Sequence, residues 1–413
     1  MKETLKMKKV IIGISLVIVL IIACVLFVRL TDKKAENTTE GNSDSVEMDV
    51  KKLGEEQKFY ENGLICDDVA LMIYSGIIEY VDLKTGDHTP FCFAPECEHN
   101  SEDCAANYMV QASPSYMQIY EKYLYVLGTN NDGNMYVYRN ELDGTNKEKM
   151  AVYAGAGIGW ISNCVQQDEK IYFIATELYE YNDKTLEDGS KGTNVDIASL
   201  FCYDFKNNKL EKLYSGHEGY YAQGTINYVY NDKIAFSYLY NTKPDEDLYD
   251  IKTGEYKLGD IDPNTFCIGR TYFYDIKTGE VEESWRKTSA NPIGMDDKYV
   301  YFFGNKDGTG KTKDGLITIL DYDMNYIKTI RLEDHPTHES YWACKISGGY
   351  IVSDDENKLL LKYNDDGKLI QKITNAEYAI GEEYGDYYIL KENAFGWGFI
   401  GLTKKDKLNW ENV

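Results

Sequence analysis

One local pattern recurs seven times along the chain, and it dictates the kind of fold available. A polar turn is followed by a short run of aromatic and β-branched residues, and a second strand then ends in a tight Asp/Asn/Gly turn. One copy of the first half reads Asp168-Glu169-Lys170-Ile171-Tyr172-Phe173, and another Asp297-Lys298-Tyr299-Val300-Tyr301-Phe302. The remaining first-half turns fall at Asp67-Asp68, Glu121, Asn231-Asp232, Gly348-Gly349 and Gly385-Asp386. Asn, Asp and Gly tolerate the positive φ of a hairpin turn, and the Tyr, Ile and Val that follow suit a pleated, half-buried strand.

The second-half turns centre on Gly86, Gly144, Asn208, Gly279, Asn325, Gly367 and Asp406. Asp82-Leu83-Lys84-Thr85-Gly86 and Asp275-Ile276-Lys277-Thr278-Gly279 use nearly the same words. So does Asp250-Ile251-Lys252-Thr253-Gly254, read as an extra hairpin inside blade four. Successive turns lie 58, 64, 71, 46, 42 and 39 residues apart. The short spacings match a four-stranded propeller blade of about 40–50 residues. The long ones hold polar inserts near 100–115, 176–198 and 240–262. The repeat predicts an all-β fold, a β-propeller of seven blades, with six or eight as alternatives if the first and last blades share strands. After residue 60 no apolar stripe of helical period competes with this reading.

A different signal governs the N-terminus. Val10 to Val28 form 19 apolar or small residues, enough to cross a hydrocarbon core of about 30 Å. Lys2, Lys6, Lys8 and Lys9 precede the run, so the positive-inside rule places the N-terminus in the cytoplasm. The expected organisation is a cytoplasmic tail over 1–9, a single transmembrane helix over 10–30, a polar and acidic disordered tether over 31–56, and an extracellular propeller over 57–413. Ile21-Ile22-Ala23-Cys24 offers a lipoprotein alternative, but Val25-Leu26-Phe27-Val28 continue the apolar run where polar residues follow a lipidated Cys. A net charge of −24 overall and +5 over the first 34 residues leave −29 on the rest. So acidic an ectodomain repels nucleic acid, and no nucleic-acid partner is expected.

The most specific local feature is Cys92-Phe93-Ala94-Pro95-Glu96-Cys97-Glu98-His99-Asn100-Ser101-Glu102-Asp103-Cys104. Cys92, Cys97, His99 and Cys104 follow a Cys-x4-Cys-x-His-x4-Cys spacing. Zinc takes four tetrahedral N/S ligands, and a Cys₃His set closes a structural site. The rival is a disulfide, which the outside of a membrane favours, with Cys66 as a possible further thiol. Cys164, Cys202, Cys267 and Cys344 read as small buried hydrophobes.

Signals for catalysis are weak. Asn305 to Thr312 end like a phosphate loop, but Asn305 stands where the first Gly belongs and a strand follows instead of a helix. His335-Pro336-Thr337-His338-Glu339 reads as a solvated loop, with half a metal site as the alternative. No Gly-x-Ser-x-Gly elbow is present, and His is scarce at 5 residues, which limits general bases.

Taken together, the apolar run Val10–Val28, the Tyr-Asp-x-Lys-Thr-Gly turns and Pro95-Glu96-Cys97-Glu98-His99 with Cys104 resemble a family of surface proteins of Gram-positive gut bacteria. These are TolB/YncE-like propellers on an N-terminal membrane anchor. Ala94-Pro95-Glu96 stands here where the family carries Asp-Pro-Leu. The resemblance implies no established activity and no catalytic residue. The leading expectation is a binding module, most simply a monomer, for an extracellular glycan, peptide or envelope protein. Its contact region is expected at the aromatic residues Trp160, Tyr179, Tyr181, Tyr220 and Tyr221, because aromatic faces stack on such ligands and loops on rigid scaffolds carry function. The alternative is a carbohydrate-active or other hydrolytic propeller with acidic residues in the central channel. Tyr is abundant at 37 residues, and packing between blades should take up most of them.

Overall fold

In a computed structural model the chain is all-β and forms a seven-bladed β-propeller, within the unit Asp49–Val413. The structure describes Leu53 and residues 57–413, apart from 61–62, 67–68, 86, 95, 109–112, 131, 155–156, 181–193, 242–266, 286–291, 305–313, 339–340 and 392–398. The expected anchor, the extra hairpin at Gly254 and the phosphate-loop-like segment therefore lie outside the described residues. Among those described, no helix is long and apolar enough to cross a membrane.

Blade one comprises β1 (Gln57–Tyr60), β2 (Gly63–Cys66), β3 (Val69–Tyr74), β4 (Ile77–Asp82) and β5 (His88–Pro90). Blade two comprises β6 (Ser113–Tyr120), β7 (Tyr123–Thr129), β8 (Met135–Glu141) and β9 (Glu148–Tyr153). Blade three takes β10 (Gly157–Gln167), β11 (Lys170–Glu180), β12 (Asn194–Asp204) and the first part of β13 (Lys209–Tyr230). The rest of β13 opens blade four, followed by β14 (Lys233–Asn241), β15 (Cys267–Asp275) and β16 (Val281–Glu283). Blade five holds β17 (Pro292–Met295), β18 (Tyr299–Phe303), β19 (Leu316–Asp321) and β20 (Tyr326–Arg331). Blade six holds β21 (Tyr341–Ile346), β22 (Gly349–Asp354), β23 (Leu359–Asn364) and β24 (Leu369–Thr374). Blade seven holds β25 (Ala379–Tyr384), β26 (Tyr387–Lys391) and β27 (Phe399–Lys404). The last strand, β28 (Glu411–Asn412), returns to pair with β24.

Six of the seven first-half turns of the sequence close the first hairpin of a blade; the other, Asp67-Asp68, lies outside the described residues, between β2 and β3. Glu121, Asp168 and Asn231 sit there with φ of 53°, 52° and 51°, the left-handed geometry that short polar residues tolerate better than branched ones. The first ladder carries a register shift in blades two, three, four, five and seven, for instance between Pro114 and Tyr116 and between Ile380 and Glu382. Such bulges bend a strand and increase its twist.

The tyrosines fill the space between blades. Tyr80, Tyr108, Tyr172, Tyr203, Tyr228, Tyr238, Tyr341, Tyr350 and Tyr363 are among the largest fully buried side chains. Between blades two and three, Tyr125 packs with Phe173, Phe201, Tyr203 and Phe205, and Tyr120 stacks on Phe205 at 4.4 Å between centroids. Between blades five and six, Tyr301 and Phe303 meet Tyr341 and Tyr350. The seam between blades seven and one is thinner: Ile65 and Ala70 meet Ile389, with Met72, Tyr384 and Leu402 around them.

Closure of the ring differs from the sharing of strands that the sequence allows. Among the described residues no strand passes between blades one and seven. Instead β1 pairs with β2 on the side away from β3 and is pinned to both neighbours. The Gln57 amide donates to Ile119 O on β6 at 2.6 Å and accepts from Ile119 N at 3.0 Å. Lys58 forms an ion pair with Glu382 on β25. Gln57→Ala removes the acceptor of Ile119 N and leaves Ile119 O only the longer bond from Gln118 Nε2 at 3.4 Å, and an unpaired buried backbone group costs about 1–3 kcal/mol. A lower urea midpoint at unchanged m-value should report it.

Candidate metal centre

The segment between β5 and β6 is sewn to blade one by its backbone. Phe91 N donates to Ile78 O, Ile78 N to Ala106 O and Tyr108 N to Gly76 O, each at 2.8 Å. Between these stitches the chain must double back, and it does so with left-handed residues at Glu96 (φ 60°) and His99 (φ 54°). Local turns close the two lobes: Cys97 N donates to Ala94 O at 3.3 Å and Cys104 N to Ser101 O at 3.2 Å.

The result brings the four residues of the sequence motif together. One donor atom each from Cys92, Cys97, His99 and Cys104 lie within 4.8 Å of one another. His99 Nδ1 is 3.4 Å from Cys104 Sγ. Cys92 and Cys104 are buried, while Cys97 and His99 are half-buried. All three thiols are free, and Cys66, the further thiol considered from sequence, lies buried on β2 outside this group. The thiols are tuned apart. A hydrogen bond from the His99 backbone, with help from the Cys104 and Cys92 side chains, holds the Cys97 thiol below its usual value. Burial pushes the Cys104 thiol up to about 11.

Blade two supplies the other wall. The turn between β8 and β9 brings Gly144, Thr145 and Asn146 against Cys92, Cys97 and Cys104 around a cavity of ≈ 280 Å³. Gly144 has φ +67°, and a Cβ there would stand 3.0 Å from Phe93 Cδ2 and 3.1 Å from both Cys92 Cα and Phe91 O. Lys147, on the same connection, donates to Cys104 O at 3.0 Å and to Asn107 O at 2.7 Å. Its ammonium lies 4.5 Å from the centroid of the Tyr108 ring, and burial pulls it down to about 8. Asn107 Nδ2 donates to His99 O at 2.8 Å, and Asn140 Nδ2 to Ala105 O at 2.9 Å. Lys147 and Asn140 were not legible as partners in the sequence, since they lie some 40 positions downstream.

A second set of sequence-expected residues falls on blades three and four. Trp160 on β10 stands opposite Thr176, Tyr179 on β11 opposite Val195, and Tyr220 on β13 opposite Asn241, with Tyr221 next along β13. Tyr181 lies outside the described residues. The register puts these positions at one end of a continuous seven-stranded sheet. There β10 begins, β11 ends, β12 begins and β14 ends, and β13 crosses from one blade to the next.

The solvated-loop reading of His335 to Glu339 needs correction. His338 is half-buried, with Nε2 3.1 Å from Asp354 Oδ1 and Nδ1 3.3 Å from Glu356 Oε2. It ties the β20–β21 connection to blade six. The metal alternative for that loop finds no support either, since the Cys/His quartet is the one group of convergent ligands among the described residues.

Fold and strand order define a seven-bladed β-propeller domain, and several solved structures are similar to it. The propeller domain of the Trilobed protease from Pyrococcus furiosus is 11% identical, over 87% of this chain and 94% of that one, with a TM-score of 0.46. The uncomplexed acylaminoacyl peptidase of Pyrococcus horikoshii is 15% identical, over 82% of this chain, with a TM-score of 0.46. This chain spans about half the length of that peptidase, 49%. An uncharacterised protein of Listeria monocytogenes EGD-e is 10% identical, over 88% of this chain and 95% of its own length, with a TM-score of 0.42. No protein-family model and no curated protein matches the chain. The similarity is one of fold and assigns no residue a role.

Proposed function

We propose that the chain is a membrane-tethered extracellular binding propeller of the TolB/YncE-like kind. It is held to the cell by residues 10–30 and binds a glycan, peptide or envelope protein as a monomer. The observation that carries this reading is the convergence of Trp160, Tyr179, Tyr220 and Tyr221 on one end of a single sheet. We take these four aromatic positions, near the same end of three strands of two blades, as the contact region of a rigid scaffold. Trp and Tyr supply large contact areas with few rotamers to freeze. The apolar run Val10–Val28 and its lysine flank support the tether.

The test is binding of the full chain to glycan and peptide arrays, followed by titration of the best ligand. Replacing Trp160, Tyr179, Tyr220 and Tyr221 together by Ala should weaken binding by about 30-fold or more, the scale of losing one hot-spot residue or several lesser ones. Unchanged affinity would place the contact region elsewhere. Turnover of a released polysaccharide by the native chain would assign it the hydrolytic role instead.

A further inference from the structure

We propose that Cys92, Cys97, His99 and Cys104 hold one structural zinc ion, and that this ion clamps the blade one–blade two connection onto the β8–β9 turn. The inference is independent of what the propeller binds. Tetrahedral zinc with Zn–S bonds of about 2.3 Å sets its ligand atoms about 3.8 Å apart. The four donors already lie within 4.8 Å of one another, so closing on the ion takes a contraction of about an ångström or less. A disulfide would consume two of the three thiols and leave the third beside an imidazole. Zinc uses all four groups.

The chemistry balances without any oxidant. The ion displaces the three thiol protons to solvent, the imidazole binds neutral, and the site carries one net negative charge. Lys147, held over Cys104 O and Asn107 O, supplies a nearby positive charge. Asn107 fixes the His99 backbone from outside the ligand set, as outer partners of metal ligands do. Four protein ligands leave no open position, so the ion is structural. The absence of a side chain at Gly144 lets the β8–β9 turn approach Cys92 closely. The motif is built in one blade's connection, and its lid is the next blade's turn.

The experiment uses the purified full chain with Co²⁺ in place of zinc. One cobalt per chain should bind, with the visible d–d bands of a tetrahedral site and near-ultraviolet thiolate-to-cobalt absorption, and one zinc equivalent should displace it. Cys97→Ser, at a half-buried position, should abolish the thiolate-rich spectrum. Asn107→Ala should keep the spectrum and weaken affinity about 10–100-fold. An octahedral spectrum, no cobalt bound to the reduced native chain, or a native chain whose Cys92, Cys97 and Cys104 are disulfide-linked would overturn the proposal. The native-chain spectrum decides the matter even if a variant fails to fold.

Discussion

Stripping the ion should cost the protein about 4 kcal/mol of stability when free zinc would otherwise stand about a thousandfold above its dissociation constant. For a propeller of this size the unfolding entropy makes that about 5 °C in Tm. The loss should be local before it is global. Amide exchange should quicken over Cys92–Tyr108 and over Leu142–Glu148, because Gly144, Thr145 and Asn146 line the cavity beside the thiols and Lys147 donates to Cys104 O. The ladders β17–β20 of blade five share no residue with the site and should keep their protection until global unfolding. Cys104→Ser should reproduce the chelated state, and zinc should not rescue it. Equal exchange with and without chelator would mean that the quartet bears no load.

Lys212→Met should be the most damaging change in blade three. Glu177 is buried, its side chain 1% exposed, yet it carries a carboxylate. Lys212 Nζ donates to both of its oxygens at 3.0 Å, Ser199 Oγ donates at 2.6 Å, and Tyr153 OH from blade two at 3.2 Å. These partners come from three strands of two blades, so the carboxylate is the hub of that junction. Removing the only cation of the set leaves a buried charge without its counter-ion, which costs about 3–5 kcal/mol. Glu177→Gln, which keeps an acceptor for Ser199 and Tyr153, should cost less. The double change Glu177→Leu with Lys212→Met should recover much of the single loss, since an apolar pair of similar volume replaces a buried ion pair at little cost. Denaturant unfolding of the parent, Glu177→Leu, Lys212→Met and the double variant closes the cycle. A Lys212→Met protein within about 0.5 kcal/mol of the parent would show that Lys212 contributes nothing net.

Much of this architecture was written locally. A hairpin whose turn needs positive φ and whose strands alternate Tyr, Ile and Val announces itself within six residues, and Asp168 to Phe173 is such a case. The quartet was equally legible, because four donors lie within one short connection. What escaped were features set by distant partners. Lys209 to Tyr230 carry no turn where one blade passes into the next, so β13 serves both blades as one strand. Two of its glycines lie where other chain segments press close: a Cβ at Gly216 would stand 2.3 Å from Ala198 O, and one at Gly224 would stand 2.6 Å from Ile174 Cγ2. The pinning of β1 by Gln57 spans 62 positions to Ile119. His338 pairs with Asp354, a residue of β22. The turn read at Asp406 does follow β27, but the strand beyond it, β28, joins blade six. In each instance the deciding contact lies in another blade or strand, where local propensity carries no information.

The most direct measurement of the proposed metal clamp is the intact mass of the full chain. It should be taken under native conditions and again after denaturation without reducing agent. The expected result is an excess of one zinc, less the protons it displaces, that disappears on denaturation and leaves the mass of the fully reduced chain. A native mass without zinc, together with a denatured mass short by the hydrogens of a disulfide that maps to Cys92, Cys97 or Cys104, would contradict it.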